Sequence, residues 1–206
     1  MSHNTLIHKI ARVTIVRALV GTTVKPNHLT TARLTFGVLA AGMLAVGDPY
    51  WSEIGAGVFV FALFLDRADG DYARLTGQTS ALGHTYDLIA DAISNALIFV
   101  GLGVGLRASE YGWHAVPMGI AAGLAVGSIL WLVIRIEELE GERAAELGNF
   151  AGFDPDDAIL IVPIVIWLGG AHGLLMAATI GAPAFAVFFY WLFRRKLIST
   201  QQVHRQ

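Results

Sequence analysis

The chain has 206 residues, of which 55% are hydrophobic and only 15% are charged. Soluble domains usually carry about 25% charged residues, so most of this chain is too apolar to form an ordinary water-exposed surface. The net charge of −2 provides no basic surface of the kind that attracts nucleic acid, and zero cysteines exclude disulfides and thiolate chemistry. The composition therefore predicts a single-domain, all-α membrane protein in which oxygen atoms ligate any metal.

The first 25 residues have an amphipathic pattern. Apolar side chains recur near one helical face, whereas His8, Lys9 and Arg12 occupy another. Such a pattern is typical of a helix that lies on the membrane surface. Pro26 should end this helix, because proline lacks an amide hydrogen and disfavours helix in the residue before it. Residues 1–25 are therefore predicted to form an N-terminal amphipathic surface helix.

Six apolar segments follow, and each is predicted to span the membrane as a helix. The second segment turns polar at Asp66 and has no strong helix breaker before Arg74. The fifth is the shortest, and it must tilt or extend to cross a bilayer. The predicted spans cover about residues 29–46, 51–74, 83–106, 116–136, 158–168 and 174–193. Together they predict a membrane domain over residues 26–196 and a cytoplasmic tail over residues 197–206.

The distribution of basic residues predicts the orientation of these spans. If the N-terminus is cytoplasmic, all of the 14 lysines and arginines except Arg107 fall on or near the inner side of the membrane. Both chain ends and the acidic ends of the second and third spans then face the cytoplasm. The sequence therefore predicts six transmembrane helices around a polar cavity that opens to the cytoplasm.

Four aspartates on two neighbouring predicted helices form the most informative pattern in the chain. Asp66 and Asp69 are three residues apart, and Asp87 and Asp91 are four apart, so each pair shares one helix face. Four converging carboxylates would repel each other unless cations neutralised them. Ligand sets of oxygen alone favour Mg²⁺ or Mn²⁺. The pattern therefore predicts a metal site with enough carboxylates for two divalent ions.

Small residues and an arginine lie beside these acids. Gly70 and Ala73 would let a base or a pyrophosphate approach the helix closely, and Arg74 could neutralise a phosphate. The same residues could instead form a solvated rim and helix-packing contacts. Asp87 and Asp91 favour the functional interpretation, because carboxylates inside an apolar helix are costly unless they are paired or functional.

The segment that carries these residues resembles the signature of the CDP-alcohol phosphotransferase family. All eight positions of the family's signature are matched by Asp66-x2-Asp69-Gly70-x2-Ala73-Arg74-x8-Gly83-x3-Asp87-x3-Asp91. The resemblance implies that Asp66, Asp69 and Asp87 ligate two metal ions. It also implies that Asp91 lies near the second ion as the base that deprotonates the acceptor hydroxyl. The remaining positions would hold the CDP portion of the donor, namely Gly70, Ala73, Arg74 and Gly83.

A shorter segment strengthens this resemblance. Pro26-Asn27-His28-Leu29-Thr30 is similar to a motif that family members carry at the start of the first span, where it borders the cytidine pocket. The resemblance thus adds Pro26, Asn27 and Thr30 to the CDP-binding residues. An ordinary span that begins with proline and is capped by Asn27 or Thr30 would show the same residues.

The resemblance implies a phospholipid-synthesis enzyme. Such an enzyme moves a phosphatidyl group from a CDP-linked lipid, CDP-diacylglycerol by resemblance, to an acceptor hydroxyl and releases CMP. Family members commonly form homodimers. The acceptor stays open among glycerol phosphate, inositol phosphate, serine and diacylglycerol. Arg135, Arg143 and Arg33 are candidates for binding a phosphorylated acceptor, although each could instead be a charge at the inner rim that reaches water.

Two other classes of function fit part of the sequence. Acids within a small helical bundle can also line a cation or proton pathway, which would make the protein a transporter. That hypothesis accounts for Asp87 and Asp91 but not for the spacing of Gly70, Arg74 and Gly83. A scaffold that keeps the fold without the activity is a third alternative, and the intact acids argue against it.

Overall fold

A computed structural model of the chain describes Val16, Leu19 and residues 22–140 and 159–203, with side chains as far as Arg135 and Arg194 in the two long ranges. The described residues form helices and no strands, which confirms the predicted all-α class. The α-helices are α1 (Pro26–Val46), α2 (Pro49–Thr76), α3 (Ala81–Gly105), α4 (Ala115–Glu140), α5 (Ile161–Trp167) and α6 (Ala171–Val203). The amphipathic helix predicted over residues 1–25 lies almost entirely outside the described residues.

Local sequence signals account for the ends of the first three helices. Pro26 and Pro49 occupy the first turns of α1 and α2, where a missing amide hydrogen costs nothing. The backbone N–H of Tyr50 donates to the Asp48 side chain at 2.9 Å, which caps α2. Gly47 and Gly77 follow α1 and α2 with left-handed φ angles of 83° and 66°, so each helix ends at a conformation that favours glycine.

Short links after α1 and α2 make the first three helices run antiparallel to their neighbours. The start of α1, the end of α2 and the start of α3 therefore meet at one end of the bundle, and every residue of the predicted signature lies there. In the structure α1 packs against both α2 and α3, α5 packs against α2, and α4 packs against α3 and α6. The topology thus brings the signature residues to one end of the bundle.

Close helix crossings depend on small residues. A β-carbon added to Gly101 on α3 would collide with the backbone of Ala41 on α1, and Gly119 on α4 lies directly against Gly103. These contacts let the helix backbones approach closely, as in other membrane bundles. Apolar side chains fill the space between the first five helices, with Leu44, Phe59 and Ile98 at the centre. The result is a closely packed apolar core beneath the polar end.

Four helical segments in the described part of the chain are long and apolar enough to cross a membrane. They are Pro26–Val46, Ala81–Ala108, Gly112–Arg135 and Ala171–Arg194. The 28-residue α2 is long enough, but the charged residues in its second half lower its mean hydropathy. The seven described residues of α5 rise only about 10 Å, a third of a hydrocarbon core of about 30 Å. The structure thus confirms four of the six predicted spans by length and composition.

Candidate active site

An arginine lies at the centre of the four predicted aspartates. Nη1 of Arg33 is 2.8 Å from Oδ1 of Asp66 and 3.3 Å from Oδ1 of Asp87, and its Nη2 contacts Oδ1 of Asp91. Arg33 is only 1% exposed, and it comes from α1, whereas the acids come from α2 and α3. The predicted convergence of the two acidic helix faces is therefore present, with a buried cation between them.

Three of the acids are arranged as a metal site would require. Asp66, Asp69 and Asp87 each offer one carboxylate oxygen, and these oxygens all lie within 4.8 Å of one another. Asp69 is 3% exposed, and its Oδ1 is buried without a hydrogen-bond partner in the described structure. A buried anionic oxygen without a donor is costly unless a cation or another donor satisfies it. The residues present therefore fit a divalent cation with oxygen ligands.

The other oxygen of Asp69 fixes the carboxylate to α1. Oγ1 of Thr30 donates to Oδ2 of Asp69 at 2.8 Å, and both residues are buried. Because Thr30 holds one oxygen, the second oxygen of Asp69 points in a fixed direction. Thr30 was predicted only as a residue bordering the donor pocket, so its contact with a predicted metal ligand is a result of the tertiary structure.

Asp91 has different surroundings from the other three acids. Its Oδ1 accepts from Nδ2 of Asn95 at 2.8 Å, one turn further along α3, and contacts Nη2 of Arg33. Two donors on one oxygen hold the carboxylate in one orientation. This arrangement suits a group that must face a substrate, although the sequence also predicts Asp91 as a metal ligand. Both assignments of Asp91 stay predictions.

The predicted CDP-binding residues lie on the same helix ends as the aspartates. A β-carbon on Gly83 would lie 3.4 Å from Oδ1 of Asn27, so the starts of α1 and α3 are adjacent, as the short motif at Pro26 requires. Among the described residues, a β-carbon on Gly70 would come within 4 Å of Nη2 of Arg74 alone, at 3.6 Å. No other described residue covers the helix surface at Gly70.

An ion pair borders this surface. Nη2 of Arg74 lies 2.8 Å from Oδ1 of Asp71, on the same helix. The Arg74 side chain is 44% exposed, so it remains accessible to a phosphate. Asp71 is therefore engaged in a salt bridge with Arg74. Ala73 lies between the two residues on α2 and is half-buried.

The predicted acceptor residues are less closely tied to the site. The guanidinium carbon of Arg135 lies 5.6 Å from the ring centre of Trp131, a cation–π contact on α4. Arg143 lies outside the described residues. Arg33, the third candidate, was predicted either to bind a phosphorylated acceptor or to reach water at the inner rim. Its side chain is instead buried among the aspartates. Sequence reasoning therefore missed its contact with the acids, and it also missed the contact between Asn95 and Asp91.

The fold and the site define a helical membrane protein with an aspartate pocket at one end of three helices. The family profile named "CDP-alcohol phosphatidyltransferase" matches residues 23–192. This chain belongs to that family.

Segments of characterised relatives are similar to part of the chain. Cholinephosphotransferase 1 from Danio rerio is 35% identical over 89 residues, or 39% of this chain, and its counterpart from Xenopus laevis is 36% identical over 87 residues, or 38%. A bifunctional IPC transferase and DIPP synthase from Rubrobacter xylanophilus is 31% identical over 87 residues, or 42% of this chain. The matched segments span only 23%, 21% and 19% of these relatives.

Solved structures share the fold over most of the chain. The Mycobacterium tuberculosis phosphatidylinositol phosphate synthase with CDP-DAG bound superposes with a TM-score of 0.63 at 22% identity, covering 90% of this chain and 94% of that one. The same enzyme in complex with manganese and citrate gives a TM-score of 0.64 at 20% identity, covering 90% and 89%. At this identity the likeness establishes the architecture, including the arrangement of the helices that carry the signature.

Proposed function

We propose that this chain is a phospholipid-synthesis transferase that moves a phosphatidyl group from a CDP-linked lipid, of the CDP-diacylglycerol type, to an acceptor hydroxyl. The observation that carries this proposal is the convergence of Asp66, Asp69 and Asp87 within 4.8 Å, with Asp91 attached to the same pocket through Arg33. The family to which the chain belongs and the CDP-DAG bound to the Mycobacterium tuberculosis enzyme support the choice of donor.

The proposed reaction is a direct displacement at phosphorus. The acceptor oxygen forms a bond to the phosphorus that carries the lipid, the bond from that phosphorus to the bridging oxygen breaks, and CMP leaves. Asp91 takes the proton of the acceptor hydroxyl. Asp66, Asp69 and Asp87, with Asp91 beside them, would hold two divalent ions, Mg²⁺ or Mn²⁺. When bound, such ions polarise the phosphoryl group and neutralise the charge of the departing group.

The donor would lie over this face of α2. Gly70 and Ala73 leave room for the nucleotide, Arg74 neutralises a phosphate, and Gly83 with the motif at Pro26, Asn27 and Thr30 borders the base. The space around Gly70 supports this assignment, because the flexible end of Arg74 is the one part of the described structure that approaches it. No covalent intermediate with the protein is required.

Gly70→Leu is expected to weaken binding of the CDP donor at least about tenfold while the fold persists. A leucine side chain is compatible with the interior of a helix but would fill the space assigned to the nucleotide. Gly42→Leu is the matched control, because no described residue lies within 4 Å of a β-carbon on Gly42, which is on α1 away from the site. Binding of a CDP lipid to both folded proteins, measured in nanodiscs, checks the claim. Equal affinity of the two variants for the CDP lipid would show that Gly70 serves helix packing and does not border the nucleotide.

The proposed orientation places the active site on the cytoplasmic side of an integral membrane protein, the inner membrane if the source is bacterial. The distribution of basic residues supports it, with Arg107 at the end opposite the aspartates. In this arrangement α2 and α5 complete six spans, since α2 is long enough and α5 packs against it.

We include a homodimer in the proposal, because close crossings of small-residue helices suit association in lipid. Mass measurement of the protein in lipid nanodiscs is expected to show two copies. A single copy at every protein concentration would remove the dimer from the proposal.

The acceptor is a small alcohol or phospho-alcohol, and Arg135 and Arg143 are the proposed contacts for a phosphorylated one. The deciding experiment supplies purified protein with Mn²⁺ and CDP-diacylglycerol and offers glycerol phosphate, inositol phosphate and serine separately, with CMP release measured for each. A second arm offers a CDP-linked small alcohol with diacylglycerol as acceptor. Release of CMP in one arm alone identifies the donor class. Folded, metal-binding protein that released no CMP in either arm would contradict the proposed activity.

A further inference from the structure

Arg33 is placed where a bound cation would also be stabilised. Its guanidinium contacts Asp66 and Asp87, two of the three acids whose oxygens converge for a metal, and it is almost completely buried. Four carboxylates and one guanidinium leave the pocket with a formal charge of −3 when all five groups are ionised. A buried arginine beside a cation site is costly for metal affinity, so its presence there calls for a physical explanation.

The two nitrogens of Arg33 contact different groups of acids. Nη1 faces Asp66 and Asp87, whereas Nη2 faces Asp91, whose same oxygen accepts from Asn95 at 2.8 Å. One planar group therefore joins the metal-binding acids to the proposed base. A guanidinium can hold two acids at fixed angles, whereas an ammonium acts as a point charge.

We propose that Arg33 is the resident counter-ion of the aspartate pocket and the residue that positions Asp91. Its charge stabilises the pocket before metal binds, and it lowers the affinity for divalent ions. Its second nitrogen, together with Asn95, holds Oδ1 of Asp91 so that the carboxylate faces the acceptor. With two divalent ions bound, the formal charge of the pocket would change from −3 to +1, which suits an anionic diphosphate donor. This inference rests on the proposed function.

The proposal predicts opposite effects of one substitution on two properties. Arg33→Gln removes the competing charge, so Mn²⁺ should bind about ten- to a hundredfold more tightly, while CMP release should fall at least about a hundredfold. The metal-free variant should melt at a lower temperature than the wild type, and Mn²⁺ should raise its melting temperature by more. A purely structural salt bridge would reduce stability without tightening metal binding.

Two further variants separate charge from geometry. Arg33→Lys keeps the charge but cannot join the two groups of acids, so Mn²⁺ affinity should stay within about threefold of wild type while CMP release falls. Asn95→Ala removes a second donor to Oδ1 of Asp91 without changing the pocket charge, and it should also slow CMP release at unchanged Mn²⁺ affinity. Arg107→Gln is the control for loss of one positive charge, because Arg107 follows α3 at its far end, about 24 Å along the helix from Asp91.

The test measures Mn²⁺ affinity by titration calorimetry in nanodiscs, melting temperature with and without Mn²⁺, and CMP release. Tighter Mn²⁺ binding in Arg33→Gln but not in Arg107→Gln would support the counter-ion role. Unchanged or weaker binding in folded Arg33→Gln would overturn that role while leaving the proposed transferase intact. CMP release by Arg33→Lys at the wild-type rate would overturn the positioning role. This variant tests that role even if Arg33→Gln does not fold. Wild-type protein that bound no Mn²⁺ would overturn both this inference and the metal-dependent activity.

Discussion

Asp69→Asn is expected to abolish divalent-metal binding and to reduce CMP release at least about 10³-fold. Asp69 is the most buried of the four acids, and its Oδ1 has no hydrogen-bond partner among the described residues. A bound cation would therefore stabilise this oxygen more than the more exposed oxygens of the other acids. Metal ions stabilise transition-state charge by several kcal/mol, and about 4 kcal/mol corresponds to roughly a thousandfold in rate. Asparagine can still accept from Thr30, so the local packing should persist.

Asp48→Asn is the matched control for this change. Asp48 caps α2 at the opposite end of the helix, and asparagine caps helices about as well as aspartate does. Mn²⁺ titration and CMP release should therefore match the wild type in that variant. Tight Mn²⁺ binding by folded Asp69→Asn protein would show that the ions are held without the Asp69 carboxylate.

Asp91→Asn is expected to retain metal and CDP-lipid binding and to lose about 10² to 10⁴ in the rate of transfer. Removal of a positioned base has an effect of this size, because the acceptor hydroxyl then keeps its proton during the attack. The donors from Arg33 and Asn95 hold Oδ1 of Asp91, which favours a base with a fixed orientation. Single-turnover release of CMP, with Mn²⁺ affinity measured in parallel, distinguishes the two roles predicted for Asp91.

A comparison of Asp91→Asn with Asp69→Asn decides whether Asp91 acts as a base or as a metal ligand. If Asp91→Asn loses Mn²⁺ affinity as severely as Asp69→Asn does, Asp91 is chiefly a metal ligand and another group accepts the proton. Transfer at the wild-type rate would remove Asp91 from the chemistry. The acids are in contact through Arg33, so the effects of the single variants are not expected to add in the double variant.

Helical periodicity predicted much of the site. Because side chains three or four residues apart share a helix face, the spacing of Asp66 with Asp69 and of Asp87 with Asp91 was sufficient to predict two acidic faces. The alternating direction of consecutive spans predicted that the acidic ends of the second and third helices would lie at the same end of the bundle. The structure confirms both features.

The membrane spans were predicted less completely. Hydropathy identifies a span when apolar residues are continuous, as in α1, α3, α4 and α6. In α2 the charged residues of the site follow the apolar half, so the segment that carries function is the one that hydropathy identifies poorly. The helix α6 continues to Val203, so the segment predicted as a cytoplasmic tail from residue 197 begins as helix.

By itself the sequence determined the helical class, which depends on composition and on apolar segments along the whole chain. It also determined the acids of the pocket and the family resemblance, which depend on residue types spaced within 26 residues. Only the tertiary structure showed that Arg33 enters the pocket and that Thr30 holds Asp69, contacts between residues 58 and 39 positions apart. Helical periodicity states which residues share a face, but the crossing of helices decides which faces meet. That crossing depends on close contacts between small residues, such as Gly101 against Ala41. Such contacts join distant parts of the chain, so no local sequence pattern predicts them.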